Sequence, residues 1–116
     1  MIRNPIQSKA YSAPSSGTDT NIINSGVNTA LLGVRISPSS AGAYDAARVV
    51  SFKDNSSGNT LFEAFILDAA DNTGFPDTAI YLKIPGRGIR FPGGLKFDLL
   101  PTSGDYWVDE ITVFYR

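Results

Sequence analysis

The chain contains no histidine and no cysteine among its 116 residues. The absence of histidine removes the usual general base near neutral pH, and the absence of both removes the familiar Ser–His and Cys–His pairs. A disulfide framework and a thiolate metal site are excluded for the same reason. Any metal would have to be held by oxygen alone. Net charge is also scarce: ten basic residues face eleven acidic ones, a formal net charge of −1. So neutral a chain has little long-range field with which to attract nucleic acid or an anionic membrane. No apolar run approaches the length of a membrane-spanning helix. Met1-Ile2-Arg3-Asn4-Pro5 lacks the apolar segment of a secretory signal, so the expectation is a protein made and kept inside a cell, or released by lysis. These absences lead to the expectation of a chain that is not an enzyme, carries no cofactor or metal, and engages neither nucleic acid nor membrane.

What the sequence does contain is alternation and punctuation. Hydrophobic residues make up 42% and charged residues 18%, the balance of a folded domain rather than a disordered chain. Eleven glycines and seven prolines are enough to separate many short strands. Residues 1–20 are rich in Ser, Pro, Thr and Gly and are expected to form an N-terminal arm. Within that arm, Ile6 to Tyr11 could form a short strand if a partner is supplied. Residues 21–116 are expected to form one β-sandwich domain.

The strand signal is period two. Ala30, Leu32, Val34 and Ile36 share one parity, with Leu31 the exception. Arg48 to Lys53 and Thr60 to Leu67 flank the polar cluster Asp54-Asn55-Ser56-Ser57-Gly58-Asn59 and read as an antiparallel hairpin. Ile80, Leu82 and Ile84 alternate with Tyr81 and Lys83; Leu95, Phe97 and Leu99 alternate with Lys96 and Asp98; Ile111, Val113 and Tyr115 share a face. Ile89-Arg90-Phe91 is a very short candidate between the turns Pro85-Gly86-Arg87-Gly88 and Pro92-Gly93-Gly94. No window has a convincing helical period, and the one helix-permissive stretch, Ala41 to Ala47, is short. The expected fold class is therefore all-β: a two-sheet antiparallel sandwich of about eight strands, jelly roll first and immunoglobulin-like second.

The strand at residues 60–67 is apolar on both faces. Phe62, Ala64 and Ile66 point one way, and Leu61, Phe65 and Leu67 the other. A strand wet on one side should not look like this, so its second face is covered either within the domain or by another subunit. Leu61, Phe65 and Leu67 are accordingly candidate interface residues.

Other candidates divide between a functional and an ordinary reading. Asp54-Asn55-Ser56-Ser57-Gly58 and Asp68 to Gly74 superficially suggest calcium loops but lack the alternating ligands that end in a bidentate Glu. Turn-forming Asp and Asn account for them better. Glu63 and Glu110 are the only glutamates, and nothing places any two carboxylates at the separation a glycosidase needs. Arg87 and Arg90 form the one basic concentration; they are solvated turn residues or a pair offered to an acidic patch on a partner protein. Tyr106 and Trp107 follow a Gly-bearing turn. They could stack on a sugar if exposed, while the lone Trp of a small sandwich more often serves core or interface.

Ile84-Pro85-Gly86-Arg87-Gly88-Ile89-Arg90-Phe91-Pro92-Gly93-Gly94-Leu95, followed by Ile111-Thr112-Val113-Phe114-Tyr115-Arg116, resembles small virion proteins of tailed bacteriophages. The resemblance covers roughly the last third of the chain. It implies a small jelly-roll or sandwich protein of the virion, placed on the head surface as a capsid decoration (cement) protein that binds the major capsid protein. It further implies a homo-oligomer, expected as a trimer, in which a closed symmetric interface buries the second apolar face. The alternative it leaves is a tail or head-fibre module that binds host surface glycan. It implies no catalytic or cofactor residues.

Overall fold

The computed structural model describes residues 5–12, 14, 19–38, 48–66, 80–100 and 108–116. Nine strands lie within them: β1 (Gln7–Ser12), β2 (Thr20–Ile23), β3 (Thr29–Pro38), β4 (Arg48–Asp54), β5 (Thr60–Ile66), β6 (Ile80–Lys83), β7 (Ile89–Phe91), β8 (Leu95–Leu100) and β9 (Val108–Tyr115). The helix-permissive stretch Ala41 to Ala47 falls outside the described residues.

The strands form two antiparallel sheets. Sheet A runs β1-β9-β3-β6, with β7 also paired to β3, and sheet B runs β2-β8-β4-β5. β6 pairs with Gly33 to Ile36 and β7 with Thr29 to Leu31, so the two behave as one interrupted edge strand along β3. Counted that way there are eight strands, and their pairing has a simple logic. The chain is one long hairpin turning near residues 55–58. β4 pairs with β5, β3 with β6 and β7, β2 with β8, and β1 with β9. Successive pairs alternate between sheets B and A, rolling the hairpin into a sandwich, while β4–β8 and β3–β9 pairings knit the roll together. This is jelly-roll topology, not the immunoglobulin-like order.

The core lies between the sheets. Sheet A contributes Leu31, Val34, Ile36, Phe91, Ile111 and Val113; sheet B contributes Val50, Phe52, Leu95, Phe97 and Leu99, all fully buried. Phe52 and Phe97 stack obliquely at 6.0 Å, and Tyr11 meets Phe97 edge-on at 5.4 Å, an arrangement aromatic rings prefer. The expected inward sets Leu95, Phe97, Leu99 and Ile111, Val113, Tyr115 are all buried.

Two expectations need correction. The face drawn through Ala30, Leu32, Val34 and Ile36 breaks at Leu32. On β9, Tyr115 pairs with Leu31 and its neighbour Phe114 with Gly33, which leaves Leu32 as an extra bulged residue. A β-bulge shifts parity by one, so Thr29 and Leu31 face inward before it and Val34 and Ile36 after it. The exception, Leu31, was the true core residue. Second, a ninth segment, β2, was not anticipated. It has only four residues, and of its side chains only Ile22 is fully enclosed.

The arm also has a place. Gln7–Ser12 is an edge strand of sheet A, and its partner is the chain's own β9. Lys9 Nζ donates to Ile22 O at 2.7 Å, and Tyr11 Oη to Asn21 O at 3.3 Å. Those two bonds tie β1 in one sheet to β2 in the other.

Candidate interaction surface

The polar turns gather at one end of the sandwich. Asp54 is buried at the end of β4, and its Oδ2 accepts from the Ser57 amide at 2.9 Å and the Ser57 hydroxyl at 2.8 Å. Its Oδ1 accepts from the Gly93 amide at 2.6 Å. These donors, the Ser57 amide foremost, hold the Asp54 carboxyl below the usual carboxylate range. Ser56 Oγ donates to Gly93 O at 2.9 Å and accepts from the Gly26 amide at 3.1 Å. Asn55 Nδ2 donates to Ile23 O at 2.9 Å and also reaches Asn21 Oδ1. Three turns, β2–β3, β4–β5 and β7–β8, are thereby stitched together. The carboxylate that suggested a calcium loop is occupied as a turn residue. The second such run, Asp68 to Gly74, lies outside the described residues.

β5 forms one edge of sheet B. Lys53 pairs with Thr60 and Phe52 with Phe62, so Leu61 is a second bulged residue. Leu61 points outward by alternation with the inward Phe62 and is 42% exposed, whereas Ala64 on the same strand is buried. A shallow depression of about 330 Å³ opens there, lined by Thr60, Leu61, Phe62 and Glu63. Phe62 packs on the core, and its ring lies 6.0 Å from that of Phe52. Of the expected second apolar face, Leu61 is thus open to solvent. Phe65 pairs through its backbone with Val49, but its side chain is outside the described part. Leu67 lies outside the described residues altogether, as do Tyr106 and Trp107.

No protein-family model matches the chain, and neither a curated protein nor a solved structure does so at a significant level. The surface therefore has to be read from its own residues.

The outer face of sheet A spans β1, β9, β3 and the interrupted β6–β7 edge. Inward residues Val34, Ile36, Ile111 and Val113 fix the opposite parity as outward. Tyr81 pairs with Arg35, which pairs with Thr112; Lys83 pairs with Gly33, which pairs with Phe114. Tyr81 is 55% exposed and meets Phe114 edge-on, with centroids 5.8 Å apart. Its phenol leans over Gly33, where an added Cβ would lie 3.4 Å from the hydroxyl and 3.1 Å from Leu82 O. Gly33 leaves the low point that lets an aromatic ring cross β3. Arg35 forms an ion pair with Glu110 at 3.6 Å, and Glu110 also accepts from Thr112 Oγ1 at 3.2 Å. Tyr81 was legible from the sequence as outward; its union with Phe114 across a third strand was not.

Arg87 and Arg90 are both exposed, Arg87 in the β6–β7 turn and Arg90 on β7. β7 touches β5 across the sandwich, while Arg90 faces out from sheet A and Leu61 out from sheet B. The outer face of sheet B is built differently. Lys53 and Lys96 pair across strands, a repulsive juxtaposition, and Asp19 bridges them with bonds of 3.1 and 2.9 Å. Asp98 adds a contact with Lys53 at 3.8 Å. The hydrogen bond from Lys96 and then that from Lys53 hold the Asp19 carboxyl below its usual range. Lys53 and Lys96 are thus compensated by Asp19 and Asp98.

Proposed function

We propose that this chain is a non-enzymatic structural protein of a phage virion, a capsid decoration protein that binds the major capsid protein as a homo-oligomer, expected to be a trimer. The observation that carries the reading is the strand order. A jelly roll is the architecture implied by the resemblance of Ile84 to Leu95 and Ile111 to Arg116 to small phage virion proteins, and here those segments build β7, the start of β8 and the central strand β9. Fold alone does not assign function, so the reading also draws on the surface. Leu61 and Tyr81 are large side chains left exposed on a single copy, Tyr81 against the half-buried Phe114, and such groups supply the anchors of association surfaces.

Two experiments test this. Light scattering at high micromolar concentration reads the oligomer: a clean 12.4 kDa monomer counts against self-association. Co-sedimentation with purified capsids lacking the protein reads the role: saturable binding at a fixed ratio to the capsid protein supports it, and no binding removes it.

A further inference from the structure

Within a net charge of −1, the charges of the described residues are distributed unevenly between the two faces. On β7, Arg90 pairs with Ala30. On the other side of β3, Ala30 and Arg116 exchange backbone hydrogen bonds of 3.0 Å in both directions. Leu31 and Tyr115 are inward, so Ala30 and Arg116 face out, as does Arg90 beside the inward Phe91. The next row is Lys83, Gly33 and Phe114, and the next is Tyr81, Arg35 and Thr112. On the middle strand Ala30 and Gly33 are small, the bulged Leu32 lies between them, and the Tyr81 phenol covers Gly33. Lys83 and Arg90 therefore flank β3 on one side and Arg116 on the other, all three exposed. Among the described side chains of this face and its β6–β7 turn, Arg35, Lys83, Arg87, Arg90 and Arg116 stand against Glu110 alone, and Glu110 is engaged by Arg35.

From this arrangement we infer that the outer face of sheet A is a docking surface for an acidic protein surface, one that sets an apolar residue against Tyr81 and Phe114 and carboxylates against Lys83, Arg90 and Arg116. Charge complementarity selects the sign of the partner. Size and composition select its class. Four strands at about 4.8 Å and a strand of ten residues at about 3.3 Å each give a face on the order of 600 Å² before side-chain relief, close to the roughly 800 Å² per partner of a standard protein interface. Tyr with Arg is the composition of interface hot spots. Single-stranded nucleic acid would call for a succession of stacking rings, and among the described residues this face offers one aromatic pair. The inference names the partner chemistry of the assembly reading and rests on it only in taking the partner to be a protein.

The test uses the full chain and a fluorescein-labelled peptide alternating Glu-Glu with Leu, read by anisotropy at low salt, with an oligothymidylate of similar charge as competitor. Saturable binding that weakens with added sodium chloride is expected. The double variant Lys83→Glu/Arg90→Glu should lose at least about tenfold in affinity, and Tyr81→Ala, which keeps every charge, several-fold. Thermal melts of both variants verify folding, and Lys83→Gln/Arg90→Gln replaces the reversal if that one melts early. No saturable binding, unchanged affinity in the charge variants, or displacement of the peptide at lower concentrations of oligothymidylate than of unlabelled peptide would overturn the inference. None of those results bears on capsid co-sedimentation or on oligomer size, so the two proposals fail separately.

Discussion

Two glycines in one loop give the sharpest test of the interrupted edge strand. Gly86 and Gly88 sit between β6 and β7 with φ of 70° and 81°, both in the left-handed region. Replacement by Ala forces a side chain into that region at either site, costing about 1–2 kcal/mol. The surroundings differ. Nothing lies within 4 Å of a Cβ on Gly86, whereas a Cβ on Gly88 would meet Leu31 O at 2.3 Å and Leu32 Cδ2 at 2.8 Å. The leucine methyl can rotate away, but the carbonyl cannot. It belongs to a residue paired with Ile89 on one side and Tyr115 on the other, next to the bulge. Relieving the clash means moving that backbone by roughly an ångström and weakening one to three ladder hydrogen bonds, at about 1 kcal/mol each. Gly86→Ala should therefore lose about 1–2 kcal/mol, and Gly88→Ala about 2–5 kcal/mol. At this chain length each kcal/mol lowers Tm by roughly 3–6 °C. Urea titration followed by circular dichroism gives the free energies by linear extrapolation. Equal losses at the two sites, or a larger one at Gly86, would refute the close packing of this loop against the β3 bulge.

Other expectations concern the core, the turn cluster and the β5 edge. Phe97→Ala removes a fully buried ring in contact with Phe52 and Tyr11 and should cost about 3–5 kcal/mol in the same titration; a loss under 1 kcal/mol would contradict its central position. Because the Asp54 carboxyl is held below its ordinary range, it contributes stability above the unfolded carboxylate pKa and loses it as pH falls through the lower, folded value. Asp54→Asn should thus reduce stability near neutrality and flatten the acid limb of a Tm-against-pH curve, and an unchanged acid limb would assign that limb to other groups. Leu61→Lys, at an outward bulge, should change monomer stability by no more than about 0.5 kcal/mol yet reduce any self-association seen by light scattering. An oligomer that survives the change does not use this edge.

The local features of the chain were legible because their causes are local. Alternation at Ile80 to Ile84, Leu95 to Leu99 and Ile111 to Tyr115 reflects a strand's twofold side-chain period, and each set lies against the core as the pattern predicts. The hairpin around Asp54 to Asn59 follows from turn chemistry contained in six residues, and it formed as expected. Counting such strands and turns was enough for an all-β sandwich. Other features depended on residues far apart. Gln7–Ser12 became a strand only because β9 is there to receive it, over a separation that the Tyr115–Gln7 hydrogen bond sets at 108 residues. The bulges at Leu32 and Leu61 arise from the register of two strands, which neither strand encodes alone. The first decided that Leu31 is core, whereas Leu61 faces water by plain alternation with the inward Phe62 and Ala64. The meeting of Tyr81 with Phe114, and the gathering of Lys83, Arg90 and Arg116 on either side of β3, required three strands to be laid side by side in order. Composition and period fixed what each segment would be, while the surfaces available to a partner came from which segments became neighbours.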